Sequence, residues 1–95
     1  MNQTSLKSIT TVDVYWRPGC PFCMRLEHNL KKSKIKYSKH NIWEDKEAAA
    51  TVRAVADGNE VVPTVFVGDV AMVNPSIKQL TTVVKDLAPH LLSDT

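Results

Sequence analysis

The stretch "VDVYWRPGCPFCMRLEHNL" (residues 12–30) constrains the fold most, because a two-residue apolar period gives way there to a helical one across a pair of cysteines. Val12, Val14 and Trp16 alternate with polar partners, which predicts a strand over 11–16. Pro21 suits a first helical position, where its missing N–H is no loss. Cys23, Leu26 and Leu30 follow at i, i+3 and i+7, with Phe22 assigned to the same apolar face, so a helix is expected over 21–33.

The remaining pattern continues this alternation. "IKYSKHNI" reads as a weaker, partly polar strand over 35–42. Glu44, Asp45 and Glu47 place negative charge at the start of "EDKEAAATVRAVADG". An apolar stripe at Ala48, Val52, Val55 and Ala56 then predicts a helix that stops at Gly58. "VVPTVFVGDVAMV" holds two β-branched runs around Gly68-Asp69, a loop with glycine first, as a type II′ hairpin prefers, giving strands over 64–67 and 70–73. Asn74-Pro75-Ser76 supplies a turn and a cap before Ile77, Leu80, Val84, Leu87 and Leu91, which share one helical face, and Pro89 ends that helix near 87–88. The order β-α-β-α-β-β-α implies an α/β domain with a parallel pair, a terminal antiparallel hairpin and a mixed sheet carrying helices on both faces. Residues 1–10 are expected to be a flexible N-terminal extension and 11–95 a single domain, since 95 residues at 43% apolar content support one modest core.

Twelve Lys and Arg against ten Asp and Glu leave a net charge of +2, which points to neither disorder nor a nucleic-acid surface. The cluster Lys31, Lys32, Lys34, Lys36 and Lys39 reads as a solvated face at a helix C-terminus, with an acidic docking partner as the alternative. "MNQTSLKSIT" lacks the basic and apolar regions of a secretory signal, and no apolar run is long enough to span a membrane, so a cytoplasmic protein is expected.

With the helix starting at Pro21, Cys20 is its N-cap, and the N–H groups of Phe22 and Cys23 are free to point at the sulfur. These donors and the helix dipole favour the thiolate, and Arg17 on the same loop adds positive charge. Cys23 is expected deeper, giving an exposed nucleophile over a shielded resolving thiol, the inequality that thiol–disulfide exchange requires. A purely structural disulfide across so short a loop would remove little chain entropy. Structural zinc asks for four ligands, yet His28, His40 and His90 sit on three different elements without ligand spacing. An iron–sulfur cluster shared between two chains through Cys20 is the other alternative. Gly19 either relaxes the strand-to-helix turn or leaves backbone access beside the nucleophile.

"CPFC" after a strand and "VPT" before a strand pair resemble the glutaredoxins of the thioredoxin-like fold, over about residues 11–88; "DGNEVVPTV" followed by "VNPS" resembles the mycoredoxins among them. The resemblance implies a cis Val62-Pro63 bond beside Cys20, with the Val62 backbone pairing with substrate. It places Asn74, Pro75 and Ser76 where glutathione-using members carry a glycine pair and an acidic residue at the start of the last helix. This chain has no such glycine pair, which favours a different low-molecular-weight thiol. It also departs from many mycoredoxins in carrying Gly19, where they carry tryptophan, before the first cysteine.

The implied site is Cys20 and Cys23 for catalysis, with Arg17, Phe22, Val62, Pro63, Asn74 and Ser76 at the substrate and no bound metal or cofactor. The implied co-substrate is mycothiol, drawing on NADPH through a mycothiol disulfide reductase, and the implied clients are protein mixed disulfides handled by a monomer. Two other functions fit the residues. One is a dithiol electron donor to ribonucleotide reductase, itself reduced by thioredoxin reductase; the other is the cluster-binding module.

Overall fold

The computed structural model describes residues 9–92. Strand β1 (Val12–Trp16) leads into helix α1 (Pro21–Lys32), followed by β2 (Tyr37–Asn41), α2 (Lys46–Val55), β3 (Thr64–Val67), β4 (Val70–Val73), α3 (Ile77–Leu87) and a 3₁₀ turn (Pro89–Leu91). The four strands form one mixed sheet in the order β2-β1-β3-β4, with β1 parallel to β2 and antiparallel to β3, and β3 antiparallel to β4. Gly68 holds a φ of +61° at the hairpin while Asp69 does not turn positive, as a II′ turn requires. Of the expected extension, 1–8 lies outside the described residues, whereas Ile9 packs against the core.

Strand alternation sends Val12 and Val14 of β1 and Val65 and Val67 of β3 to one face, where they meet Leu26 and Leu30 of α1 and Leu80 and Val84 of α3. The opposite face is thinner: Ile42 with Ala48, Ala49 and Val52 of α2, against Tyr15 and Val62. The buried stripe of α2 therefore runs through Ala49, and Val55, assigned to it by spacing, is exposed. The helix also stops at Val55, before Gly58, because Asp57 and Gly58 both take positive φ and cannot continue it.

Strand β2 is polar because it is a sheet edge, and its α1-facing side chains form a charged clamp. The Tyr37 hydroxyl donates to Glu27 at 2.8 Å, and Lys39 reaches the same carboxylate at 3.1 Å while lying 4.3 Å from the Trp16 ring. The Tyr37 hydrogen bond, helped by Lys39 and Lys31, holds the Glu27 carboxyl below its ordinary range. Two members of the lysine cluster are thus engaged within the fold.

Ser76 caps α3 in a reciprocal box: its hydroxyl accepts the Gln79 N–H at 3.1 Å, and its own N–H donates to Gln79 Oε1 at 2.9 Å. The Ser76→Ala variant is expected to lose about 1 kcal/mol of stability, read as a lower urea midpoint at unchanged slope. An unmoved midpoint would show that the box contributes nothing.

Candidate active site

Sheet order decides what surrounds the cysteines. β1 ends at the loop carrying Arg17 to Cys20, and β3 begins next to it immediately after Val62-Pro63, whose peptide bond is cis. β4 ends beside that at Asn74, so the cysteine turn, the proline loop and the start of α3 line up along one end of the sheet. Asn74 adopts a φ of +50°, a conformation asparagine tolerates better than most residues, and its N–H donates to the Pro63 carbonyl at 2.7 Å. This bond ties the α3 entrance to the proline loop.

Cys20 is the N-cap of α1 with extended backbone angles, and its Sγ accepts the Cys23 N–H at 3.2 Å. Of the two donors expected from the sequence, the one at the third helical position makes the bond, as N-cap geometry favours. The Val62 carbonyl lies 3.9 Å from the same sulfur. Both cysteines are reduced and nearly covered, Cys20 at 3% exposure and Cys23 at 4%. The expected contrast between an exposed and a shielded thiol is therefore corrected: the proline loop folds over the cap and covers Cys20 as well. What the structure does set is the protonation of Cys23. Burial, reinforced by the hydrogen bond with Cys20, pushes the Cys23 thiol from 9.0 up to about 12, against the opposing pull of the Arg17 backbone N–H and guanidinium. Cys23 therefore stays a neutral thiol at physiological pH.

This difference has a consequence for stability. The unfolded chain releases the Cys23 proton above about pH 9 and the folded chain holds it to about 12, so stability is constant below the first value and falls between them. Tyr37 acts in the same direction, since burial and Glu27 raise it from 10.0 to about 12. Guanidinium unfolding of the reduced protein from pH 8 to 11 is expected to show a falling midpoint, with a shallower fall once Cys23 is tied in a disulfide. Identical slopes in the two redox states would contradict the Cys23 assignment.

Arg17 donates to the Pro18 carbonyl at 3.1 Å and lies 5.6 Å from the Trp43 ring. Phe22 leaves the apolar face assigned to it and is 58% exposed. It borders a groove of about 370 Å³ between α1 and the start of α3, shared with Arg25, Asn29, Asn74, Ser76 and Gln79. The structure thus brings Phe22, Asn74 and Ser76 together, whereas Arg17 does not border this groove. Arg25, Asn29 and Gln79 join the groove without a sequence signal, because only the approach of the two helices assembles it. Among the histidines, His40 pairs with Asp13 at 3.0 Å and His90 donates to the Ile9 carbonyl at 2.6 Å. No helix among the described residues is long and apolar enough to cross a membrane.

Comparison with known proteins converges on one family. The Glutaredoxin family model matches residues 12–72. A putative glutaredoxin of Mycobacterium tuberculosis is 34% identical over 68 residues, covering 70% of this chain and 81% of that protein. Mycoredoxin 1 of Corynebacterium glutamicum is 34% identical over 61 residues, covering 64% and 75%. A probable glutaredoxin of Synechocystis is 33% identical over 58 residues, covering 61% of this chain and 66% of its own length. Among solved structures, the glutaredoxin from Archaeoglobus fulgidus superimposes with a TM-score of 0.64 at 21% identity, over 84% of this chain and 91% of that one. A buckwheat glutaredoxin–glutathione complex gives 0.60 at 20% identity, over 94% and 82%. With a cysteine pair at a helix cap, a cis proline beside it and this breadth of likeness, the chain belongs to the glutaredoxin family of thiol–disulfide oxidoreductases.

Proposed function

We propose that the protein reduces mixed disulfides between client proteins and mycothiol, in the cytoplasm, by a monothiol route through Cys20. The observation that carries this reading is the Cys20 sulfur at a helix N-terminus, accepting the Cys23 N–H at 3.2 Å beside a neighbouring thiol that stays protonated. The Cys20 thiolate attacks the mycothiol sulfur of the mixed disulfide. A Cys20–mycothiol disulfide forms, the old S–S bond breaks, and the client leaves as a thiolate that takes a proton from solvent. A second mycothiol thiolate attacks the mycothiol sulfur on Cys20, restoring the Cys20 thiolate and releasing mycothiol disulfide, which NADPH reduces through a mycothiol disulfide reductase. With dithiol substrates, Cys23, in the same helical turn, closes an intramolecular disulfide instead.

Two features favour mycothiol over glutathione: the likeness to mycoredoxin 1, and Asn74-Pro75-Ser76 in place of a glycine pair at the groove. Arg25, Asn29, Asn74, Ser76 and Gln79 offer this groove polar donors, and Phe22 offers an apolar wall. The test is NADPH oxidation on a model mixed disulfide, coupled in parallel to mycothiol with its reductase and to glutathione with its reductase. Turnover is expected with mycothiol; turnover with glutathione alone, or with thioredoxin reductase alone, would overturn the assignment.

A further inference from the structure

The proline loop passes the nucleophile with three consecutive carbonyls, and two of them are taken. The Thr64 hydroxyl donates to the Val61 carbonyl at 2.7 Å, and the Asn74 N–H donates to the Pro63 carbonyl at 2.7 Å. The carbonyl between them, that of Val62, lies 3.9 Å from the Cys20 sulfur. The Val62 N–H meets no acceptor among the described residues. Val62 therefore keeps one donor and one acceptor beside the sulfur, the pair that an extended backbone carrying a substrate sulfur would use.

Among the described residues Thr64 is the one buried polar side chain, at 0% exposure. Its backbone is fixed from both sides, since it opens β3 and pairs with Tyr15 of β1 and Val73 of β4. Alternation turns its side chain to the face opposite Val65 and Val67, the thinner one that α2 covers. A hydroxyl buried there needs an acceptor, and the Val61 carbonyl is the one it finds. Farther back the loop is tied to the end of α2, by the Gly58 N–H to the Arg53 carbonyl at 2.9 Å and the Asn59 N–H to the Ala56 carbonyl at 3.0 Å. Directly before Val62, the Thr64 hydroxyl is the contact that fixes the backbone.

We propose that Thr64 is a positioning residue for substrate: its hydroxyl, anchored in the sheet, pins the Val61 carbonyl and so aims the Val62 N–H and carbonyl at the space over Cys20. Val61 is half-buried, so its carbonyl, once released, turns toward water and takes the Val62 peptide with it. Recognition of the amides flanking a substrate cysteine is then lost, while the Cys20 cap, made by the Cys23 N–H, is untouched. The inference rests on the attack by Cys20 that the proposed function assumes, and holds whichever small thiol takes part.

The test is single-turnover reaction of the reduced protein with two symmetric disulfides: N,N′-diacetylcystine diamide, which carries an amide on both sides of each cysteine Cα, and bis(2-hydroxyethyl) disulfide, which carries none. In each, the Cys20 thiolate takes one sulfur into a mixed disulfide and the other half leaves as a thiolate. The unmodified protein is expected to prefer the diamide by about tenfold in second-order rate constant. Equal rates would show that the Val62 backbone is not used and would overturn the proposal. Thr64→Val, which keeps the branched shape without the hydroxyl, is expected to lose about tenfold on the diamide and to keep its rate on the hydroxyethyl disulfide. Thr64→Ser, which gives up a buried methyl but keeps the hydroxyl, is expected to be less stable yet to retain the preference. Equal loss on both disulfides in Thr64→Val would make the hydroxyl merely structural, and an unchanged preference would remove it from the site. Loss of the preference in Thr64→Ser would also overturn the proposal, an outcome readable even where the valine variant does not fold. A protein that discriminates as expected but does not turn over with mycothiol would overturn the proposed function and leave the role of Thr64 standing.

Discussion

The Cys20→Ser variant is expected to be folded and inactive, with kcat/KM on mixed disulfides lowered about a thousandfold or more, down to the uncatalysed exchange rate. Serine is itself a favoured N-cap, so the bond from the Cys23 N–H survives and α1 keeps its start. What disappears is the nucleophile, because a hydroxyl at neutral pH is neither ionised nor capable of holding a mixed disulfide. Cys23→Ser removes a thiol held protonated up to about 12 and leaves the backbone donor in place, so the monothiol reaction is expected to stay within about threefold of the unmodified enzyme. Activity measured with a small-thiol mixed disulfide separates the two variants. Equal loss from both would replace the monothiol route with an obligatory dithiol one.

What the sequence made legible was local. The strand-to-helix switch at Trp16–Pro21, the glycine-first hairpin at Gly68 and the Ser76 cap each depend on a few adjacent residues, and each stands where the pattern put it. Properties set by approach from elsewhere in the chain were read less well. Cys20 is covered by a loop 42 residues away in sequence, so no local pattern announced its burial. Phe22 and Cys23 are adjacent helical neighbours, and which of them turns inward is decided by where α3 and the sheet lie. In α2 the small side chains of Ala48 and Ala49 allow close packing on Tyr15 and Val62, which moved the buried stripe off Val55. The pairing of Arg17 with Trp43 arises because β1 and β2 are parallel neighbours and end together, a fact of topology rather than of either segment.

The other large effect is expected in the core that fixes α3 against the sheet. Leu80 is fully buried, on the face where α3 meets Val12, Val14, Val65 and Val67 together with Leu26 and Leu30 of α1. Leu80→Ala deletes its branched end from a close-packed site between two helices and a sheet, where little can move in to fill the space. A loss of about 3–4 kcal/mol follows from the transfer and cavity contributions together. A domain of this length has roughly 5–14 kcal/mol in all, so the melting temperature should drop by roughly 15–30 °C. The nucleophile sits on α1 and its cap bond is independent of α3, so turnover per folded molecule in the cold should persist while the folded fraction collapses on warming. A shift below about 1 kcal/mol would mean that α3 closes over the gap. The groove it shares with Phe22 and Asn29 would then be a pliable feature rather than one held by the core.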